Sequence, residues 1–269
     1  MRVGTSIRVS QLAAHGGRQV DLRRKPVKRD AMARAVRDRK RRPSSGPLSR
    51  ARIVAEAVAL ADRHGFQNLS MRSLAERLGV EAMSLYNHVV DKNDLIDGMV
   101  DHVAGEIALP AREAPWKPAL RQRALSAHQA LVRHPWACPL IGLRLNVGDN
   151  MLAHVEAGLA RLVEAGFSYE MADHAMNAID NHVRGFTLQQ LNFPIEPKKF
   201  AQTAQDYLPK LPPETYPHLR NLAERVASGA YDGLDDVSFG LDLVLDGLER
   251  LLRDGGAASR SSPGFSGAR

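Results

Sequence analysis

The chain has 269 residues, 44% of them apolar and 5% aromatic, with a net charge of +7. That is enough for a substantial core in one large or two modest domains. No stretch approaches the roughly 18 consecutive apolar residues of a membrane span, and the single cysteine, Cys138, excludes an internal disulfide or a multi-cysteine metal site. Ala, Leu, Arg and Glu are prominent and alternating runs of Val, Ile, Thr and Tyr are missing, so the expected fold class is all-α, in a soluble cytoplasmic protein.

Residues 1–47 hold 14 Lys and Arg against 3 Asp, a net of +11 that leaves −4 for the other 222 residues. This segment, with RRKPVKRD and RDRKRRPSSGP, lacks the apolar content for a core and reads as a disordered basic arm. Three roles compete: an arm adding salt-dependent phosphate contacts or entering a minor groove, a translated extension upstream of the natural start, and an Arg-rich transit peptide.

The run Pro43-Ser44-Ser45-Gly46-Pro47 ends the arm, and Ser49 is placed to cap a first helix that ends near His64-Gly65. Ile53, Ala57, Leu60 and Ala61 form its inward stripe. Ser70 can cap a second helix, in which Leu74, Ala75 and Leu78 recur at the spacing of one buried face. Gly79 sits where the chain must leave that helix through a left-handed conformation, and Val80 follows as an apolar plug.

A further helix is expected over residues 81–89, with Leu85 as its inward anchor and Ala82, Met83, Ser84, Tyr86, Asn87 and His88 outward. Such a face suits the major groove: Asn pairs with adenine, Ser bonds several base edges, and Ala or Met touches a thymine methyl. Tyr86, His88 and Lys92 suit phosphates. An ordinary helical hairpin with a solvated outer face fits the same residues.

Asn93 or Asp94 can start the next helix, with Leu95, Ile96, Met99, Val103 and Ile107 at helical spacing up to Pro110. After the APWKP connector, helices are expected near 118–133, 135–144, 150–165, 168–191, 197–208, 213–228 and 237–253. A disordered tail follows Gly255. Cys138, flanked by Trp136, Ala137, Pro139 and Leu140, reads as a core residue, not a redox sensor. His174, Asn177 and Asn181 share a helix face with His182 close by, yet no HExxH and no cysteine cluster accompanies them. No metal or other cofactor is therefore expected. GxSxG, a glycine-rich phosphate loop and paired carboxylates are all missing, which argues against an enzyme. Two stripes, Ala172, Ala175 or Met176, Ile179, Val183 and Phe186, and Val237, Leu241, Val244, Leu248 and Leu251, are wide enough to face either their own core or a partner.

The run from Leu48 to about Ile107 resembles the DNA-binding domain of the TetR family of bacterial repressors. The resemblance is carried by His64-Gly65-Phe66, by Leu74-Ala75-Glu76-Arg77-Leu78-Gly79-Val80, and by Ser84-Leu85-Tyr86-Asn87-His88-Val89 followed by Lys92. RHPWACPLIG, the Leu152 to Gly166 helix and FGLDLVLDGLERLL are similar to the ligand-binding and dimerisation domain that accompanies it. The resemblance implies an arm over 1–47, a helix-turn-helix domain over 48–109, a helical-bundle regulatory and dimerisation domain over 110–254 and a tail over 255–269. It disfavours the transit peptide.

By the same resemblance, Arg72, Ala82, Met83, Ser84, Tyr86, Asn87, His88 and Lys92 lie at or near DNA. His102, Trp136, Met151, His174, Asn177, Asn181 and Phe186 lie on helices that line the effector pocket. The two apolar stripes meet a second subunit as a four-helix bundle, with Gly240 and Gly247 permitting close approach. The implied protein is a homodimeric repressor of a palindromic operator, released by a small-molecule effector, with no membrane partner. The alternative is a nonspecific nucleic-acid-binding protein acting through the basic arm.

Overall fold

A computed structural model describes residues 46–142 and 148–260. All but the last two residues of the expected basic arm, and residues 261–269 of the expected tail, lie outside the described residues. Those that are described form ten α-helices and no strand: α1 Arg50–His64, α2 Met71–Leu78, α3 Ala82–Leu85, α4 Lys92–Ala104, α5 Trp116–Arg133, α6 Asp149–Glu164, α7 Tyr169–Asn192, α8 Phe200–Tyr207, α9 Pro217–Ala227 and α10 Val237–Arg260. No described helix is long and apolar enough to cross a membrane. The chain divides into two compact units, a larger one within 42–191 and 236–269 and a smaller one of residues 192–235.

Local chemistry explains the helix boundaries of the larger unit. Ser49 accepts the Arg52 N–H at 3.3 Å to open α1. At the start of α2, Ser70 Oγ accepts the Ser73 N–H at 3.0 Å and Ser73 Oγ accepts the Ser70 N–H at 3.1 Å, a reciprocal cap. Gly79 ends α2 at φ 71°, ψ 34°, where a side chain would be strained. The Val80 N–H then closes on the Ala75 carbonyl. Replacing Ser70 with alanine is expected to lower unfolding free energy by about 1 kcal/mol, measured by urea denaturation; an unchanged midpoint would contradict the cap.

Several boundaries differ from expectation. The fourth helix begins at Lys92, because Asp91 is the cap, accepting the Asp94 N–H at 2.8 Å and leaving the Asp94 carboxylate free for Arg50. Among the described residues of the expected 135–144 helix, no α-helix forms. Pro139 cannot donate a backbone hydrogen bond, and the chain runs in turns closed by Ala137 to His134 and Leu140 to Ala137 bonds. The helix expected over 197–208 is divided, with Pro197 and Pro209 each placed in a short 3₁₀ turn on either side of α8. α9 starts only at Pro217, whose missing N–H is harmless in a first turn. α10 continues to Arg260, past Gly255 where a disordered tail was expected.

Ile53, Leu74, Leu85, Leu95, Met99, Leu120, Leu131, Leu162, Ile179, Leu241 and Leu245 are fully buried in this unit. The α7 stripe of Ala172, Ala175, Met176, Ile179 and Val183 and the α10 residues Val237, Leu241 and Leu248 are buried within their own chain. Gly240 serves that internal contact, since a Cβ there would meet the His182 ring at 2.3 Å, and His182 Nε2 lies 2.9 Å from the Val237 carbonyl. A Cβ on Gly247 would meet nothing within 4 Å. Ion pairs from Lys117 to Asp246 and Glu249 and from Arg121 to Asp242 run between α5 and α10; exposed as they are, each contributes little.

In the smaller unit, α8 packs against α9 around Ala204, Leu211, Ala223 and Val226. Phe193 meets Phe200 edge-on at 5.7 Å, and Arg220 donates to the Leu208 and Leu211 carbonyls at 3.2 and 3.0 Å.

Candidate functional site

The outward face after Gly79 is carried by a shorter helix than its sequence suggests. α3 is only Ala82–Leu85; at Tyr86 (ψ −9°) the chain tightens into turns closed by Tyr86 to Met83, His88 to Leu85 and Val89 to Leu85 bonds. Leu85 and Val89 are buried beneath it. Met83 is 75% exposed and Tyr86 44%. Asn87 is also exposed, while Ala82, Ser84 and His88 are half-buried. Arg72 is exposed and paired with Glu76 at 3.0 Å. Lys92 donates its ammonium to the Leu69 carbonyl at 3.0 Å, so it braces the loop before α2 as well as facing solvent.

Charge pairs fix this segment to its neighbours. Arg50, opening α1, donates to both Asp94 carboxylate oxygens at 2.7 and 2.6 Å and to the His88 carbonyl at 3.3 Å; Asp94 also accepts the Val90 N–H at 2.8 Å. The Arg50 hydrogen bond holds the Asp94 carboxyl below its usual range. Arg77 donates to Glu56 at 2.7 Å between α2 and α1. α4 is then tied to α6: Asp101 accepts the Met151 N–H at 2.9 Å and Asn150 Nδ2 at 3.1 Å. Glycine at 148 makes this possible, since a Cβ would stand 2.2 Å from Asp101 Cγ.

The seven expected effector-contacting residues fall in several different surroundings. His102 is exposed on a polar cleft of about 690 Å³ lined also by Arg50, Asp94, Asp97, Asp101 and Asp149. Trp136 is buried, stacked on Phe66 at 5.8 Å and donating its indole N–H to Asp62 at 2.7 Å, which makes it part of a seam with α1. Met151 is half-buried beside the Asp101 link. His174, Asn177 and Asn181 are exposed, because α7 turns Ala172, Ala175 and Ile179 inward and the helical period carries these three to the other side. Asn177 donates to the Asp173 carbonyl and Asn181 accepts from Arg184. Phe186 is half-buried, edge-on to His128 at 5.7 Å. No group of three or more His, Cys, Asp or Glu side chains is placed to hold a metal ion among the described residues. Cys138 is buried, and burial pushes its thiol up despite nearby Arg184.

Sequence reasoning missed two sets of polar contacts made by buried residues. In the first, His134 places Nδ1 2.9 Å from Asp62 Oδ1 and Nε2 3.1 Å from Glu106 Oε2, linking α1, the chain after α4 and the end of α5. Burial pushes Glu106 up, but Arg133 and His134 together hold it below its usual range. In the second, buried Arg123 of α5 donates from Nη1 and Nη2 to Asp180 of α7 at 2.7 and 3.3 Å, and buried His154 of α6 lies 2.9 Å from the Ala104 carbonyl. The signal was present: Arg123 falls among Ala119, Leu120, Ala124 and Ala127, an inward stripe on which a cation requires a partner.

Burial, and then the Arg123 charge, hold His154 below the ordinary 6.5; burial does the same to His128. A histidine with a lowered folded value contributes no penalty above 6.5. Below it, the unfolded chain takes up a proton that the folded chain resists, so stability falls with pH. The melting temperature is expected to decline on going from pH 7 to pH 5, with a shallower slope in His154→Phe; parallel slopes would contradict this.

A short capped helix, a left-handed glycine turn and an exposed reading segment, braced by α1 and α4 on a helical body, define a helix-turn-helix DNA-binding regulator. Residues 53–99 match the family described as bacterial regulatory proteins, tetR family, and residues 109–252 match the tetracyclin repressor-like C-terminal domain. The chain belongs to the TetR family. It is 32% identical over 228 residues to the transcriptional repressor DrrR1 of Streptomyces coeruleorubidus, covering 80% of this chain and 83% of that one. A helix-turn-helix transcriptional regulator of Saccharopolyspora erythraea is 40% identical over 139 residues, 51% of this chain and 59% of the relative's length. Streptomyces coelicolor ActR, crystallised with actinorhodin, superposes with a TM-score of 0.64 at 26% identity, covering 78% of this chain and 99% of that one.

Proposed function

We propose that the protein is a homodimeric repressor that reads a two-fold symmetric operator through Met83, Tyr86 and Asn87, with Arg72, Ala82, Ser84, His88 and Lys92 at the phosphates and groove walls. The observation that carries this is the exposed polar and aromatic face of 82–88 fixed from beneath by buried Leu85 and Val89. The relative DrrR1 is named as a repressor, and ActR binds a small molecule; both support an effector-released mechanism here.

Dimerisation is supported by a second apolar stripe on α10, distinct from the one turned into the core. Phe239, Leu243 and Leu251 are 72%, 57% and 53% exposed at multiples of four residues, with Gly247 open between them. An ordered apolar stripe of this kind marks a contact surface. Two-fold symmetry would then set two reading segments roughly 34–36 Å apart, in successive major grooves. α4 is the coupling element, held to the reading segment through Asp94 and to α6 through Asp101. An effector binding better to one arrangement of α6 than another shifts the DNA-competent population.

Selection of the full chain against random duplexes should enrich a two-fold symmetric sequence. Binding without enrichment, abolished by deleting residues 1–44, would favour the nonspecific alternative suggested by the arm's +11 charge. If the repressor reading holds, that deletion lowers affinity, reduces the salt slope by about 0.9 for each phosphate the arm had neutralised, and leaves the enriched sequence unchanged.

A further inference from the structure

Among the described residues three buried side-chain polar atoms have no hydrogen-bond partner; one, Arg52 Nε, lies at the start of α1, and the other two are Nε of Arg123 and Nδ1 of His154. Their residues are 6% and 3% exposed, and such buried groups are nearly always bonded. Each one's hydrogen-bonding character is fixed by its neighbours. Arg123 commits Nη1 and Nη2 to Asp180, which leaves Nε–H as a donor. His154 faces the Ala104 carbonyl with Nε2; a carbonyl only accepts, so Nε2 carries the proton and Nδ1 presents a lone pair. Burial and the Arg123 charge keep that ring neutral. The Arg123 and Asp180 charges cancel.

We propose that Arg123 Nε and His154 Nδ1 anchor a hydroxyl group, phenolic, enolic or alcoholic, of an otherwise apolar effector. This rests on the effector-responsive reading above and specifies its ligand. The Arg123 charge acts on the His154 ring, and a hydroxyl is the neutral group whose single oxygen can both accept from an Nε–H and donate to an Nδ1 lone pair. An ether or ketone only accepts, leaving His154 unpaired. A carboxylate would bring uncompensated charge to a neutral site and set its lone pairs against that of Nδ1.

The neighbouring wall can move. Gly158 lies one helical turn beyond His154 on the same face of α6, and Met176 lies one turn before Asp180 on α7; a Cβ on Gly158 would sit 2.5 Å from Met176 Cε. The unbranched thioether lying there has the rotational freedom to give way. Through Ala104, at the end of α4, the anchor also touches the helix that carries Asp94 and its Arg50 link to the reading segment.

The test uses the full chain with 2-naphthol, 2-methoxynaphthalene and 2-naphthoate as probes, followed by calorimetry and by the ¹⁵N resonance of His154 Nδ1. 2-Naphthol is expected to bind about tenfold or more tighter than its methyl ether, since the ether strands a buried acceptor. It should also be the only probe to shift the Nδ1 resonance. In His154→Phe the preference should vanish, naphthol falling to the ether's affinity; in Arg123→Lys, which keeps a cation for Asp180 but removes Nε–H, naphthol and ether should both weaken. Equal binding of naphthol and ether, or an Nδ1 resonance unmoved by naphthol, overturns the hydroxyl anchor and leaves effector binding standing. Failure of all three probes to bind overturns the anchor and removes its support for effector binding as well. The wild-type resonance decides the matter even if one variant does not fold.

Discussion

Leu85→Ala is expected to lower unfolding free energy by roughly 2–5 kcal/mol and to remove sequence-specific DNA binding with it. Leu85 is 0% exposed and is the only buried side chain of the four-residue α3. A single turn has no stability of its own. Its position is set by what Leu85 and Val89 insert into the core formed by α1, α2 and α4. Truncation leaves a cavity where that insertion was and frees the reading segment to reorient. Met83→Ala is the internal control: its side chain is 75% exposed on the same helix, so the stability change should stay within about 0.5 kcal/mol. Urea denaturation of both variants checks this. A cost below about 1 kcal/mol for Leu85→Ala would mean that the segment is not held from beneath as described.

Placing aspartate at both Phe239 and Leu243 is expected to produce a folded monomer. Both side chains are largely exposed in the single chain, so the substitutions remove little intrachain packing. In a dimer each would bury a carboxylate in an apolar seam, an effect of several kcal/mol that raises the dimer dissociation constant at least about a hundredfold. Operator affinity should then drop by about 10²- to 10⁴-fold, the loss expected when two linked binding modules become independent. Light scattering at micromolar concentration separates the outcomes; a variant that remains dimeric would place the interface elsewhere.

The helical class, the Ser70 cap, the left-handed Gly79 and the buried Leu85 were legible in sequence, because each depends on near neighbours along the chain; the answering bond from Ser73 was not. The length of α3 was not: turning from α-helix to tighter turns at Tyr86 is settled by how Val89 and the Asp91 cap lead into α4. Prolines at 139, 197 and 209 were visible, yet whether each one bends, divides or ends a helix depends on where the following chain packs. The two faces of α7 and α10 could not be told apart by period alone. Gly240, read as a close-approach point between subunits, instead admits His182 of the same chain.

The candidate effector-contacting residues were the least legible. His174, Asn177 and Asn181 share a face, but which face turns inward depends on long-range packing against α5 and α10. The buried polar residues Arg123 and His154 and the Arg123 partner Asp180 come from three helices far apart in sequence. No local pattern joins them. Only the oddity of a charge in an inward stripe pointed there.

The most direct measurement is the ratio of affinities for the selected duplex and a scrambled duplex of equal length, at fixed salt, in wild type and in the Tyr86→Ala/Asn87→Ala double variant. Both residues are exposed, so the fold and the salt-dependent affinity for scrambled DNA should be nearly unchanged. The account predicts that the ratio falls toward one. A double variant that keeps the wild-type ratio would contradict it.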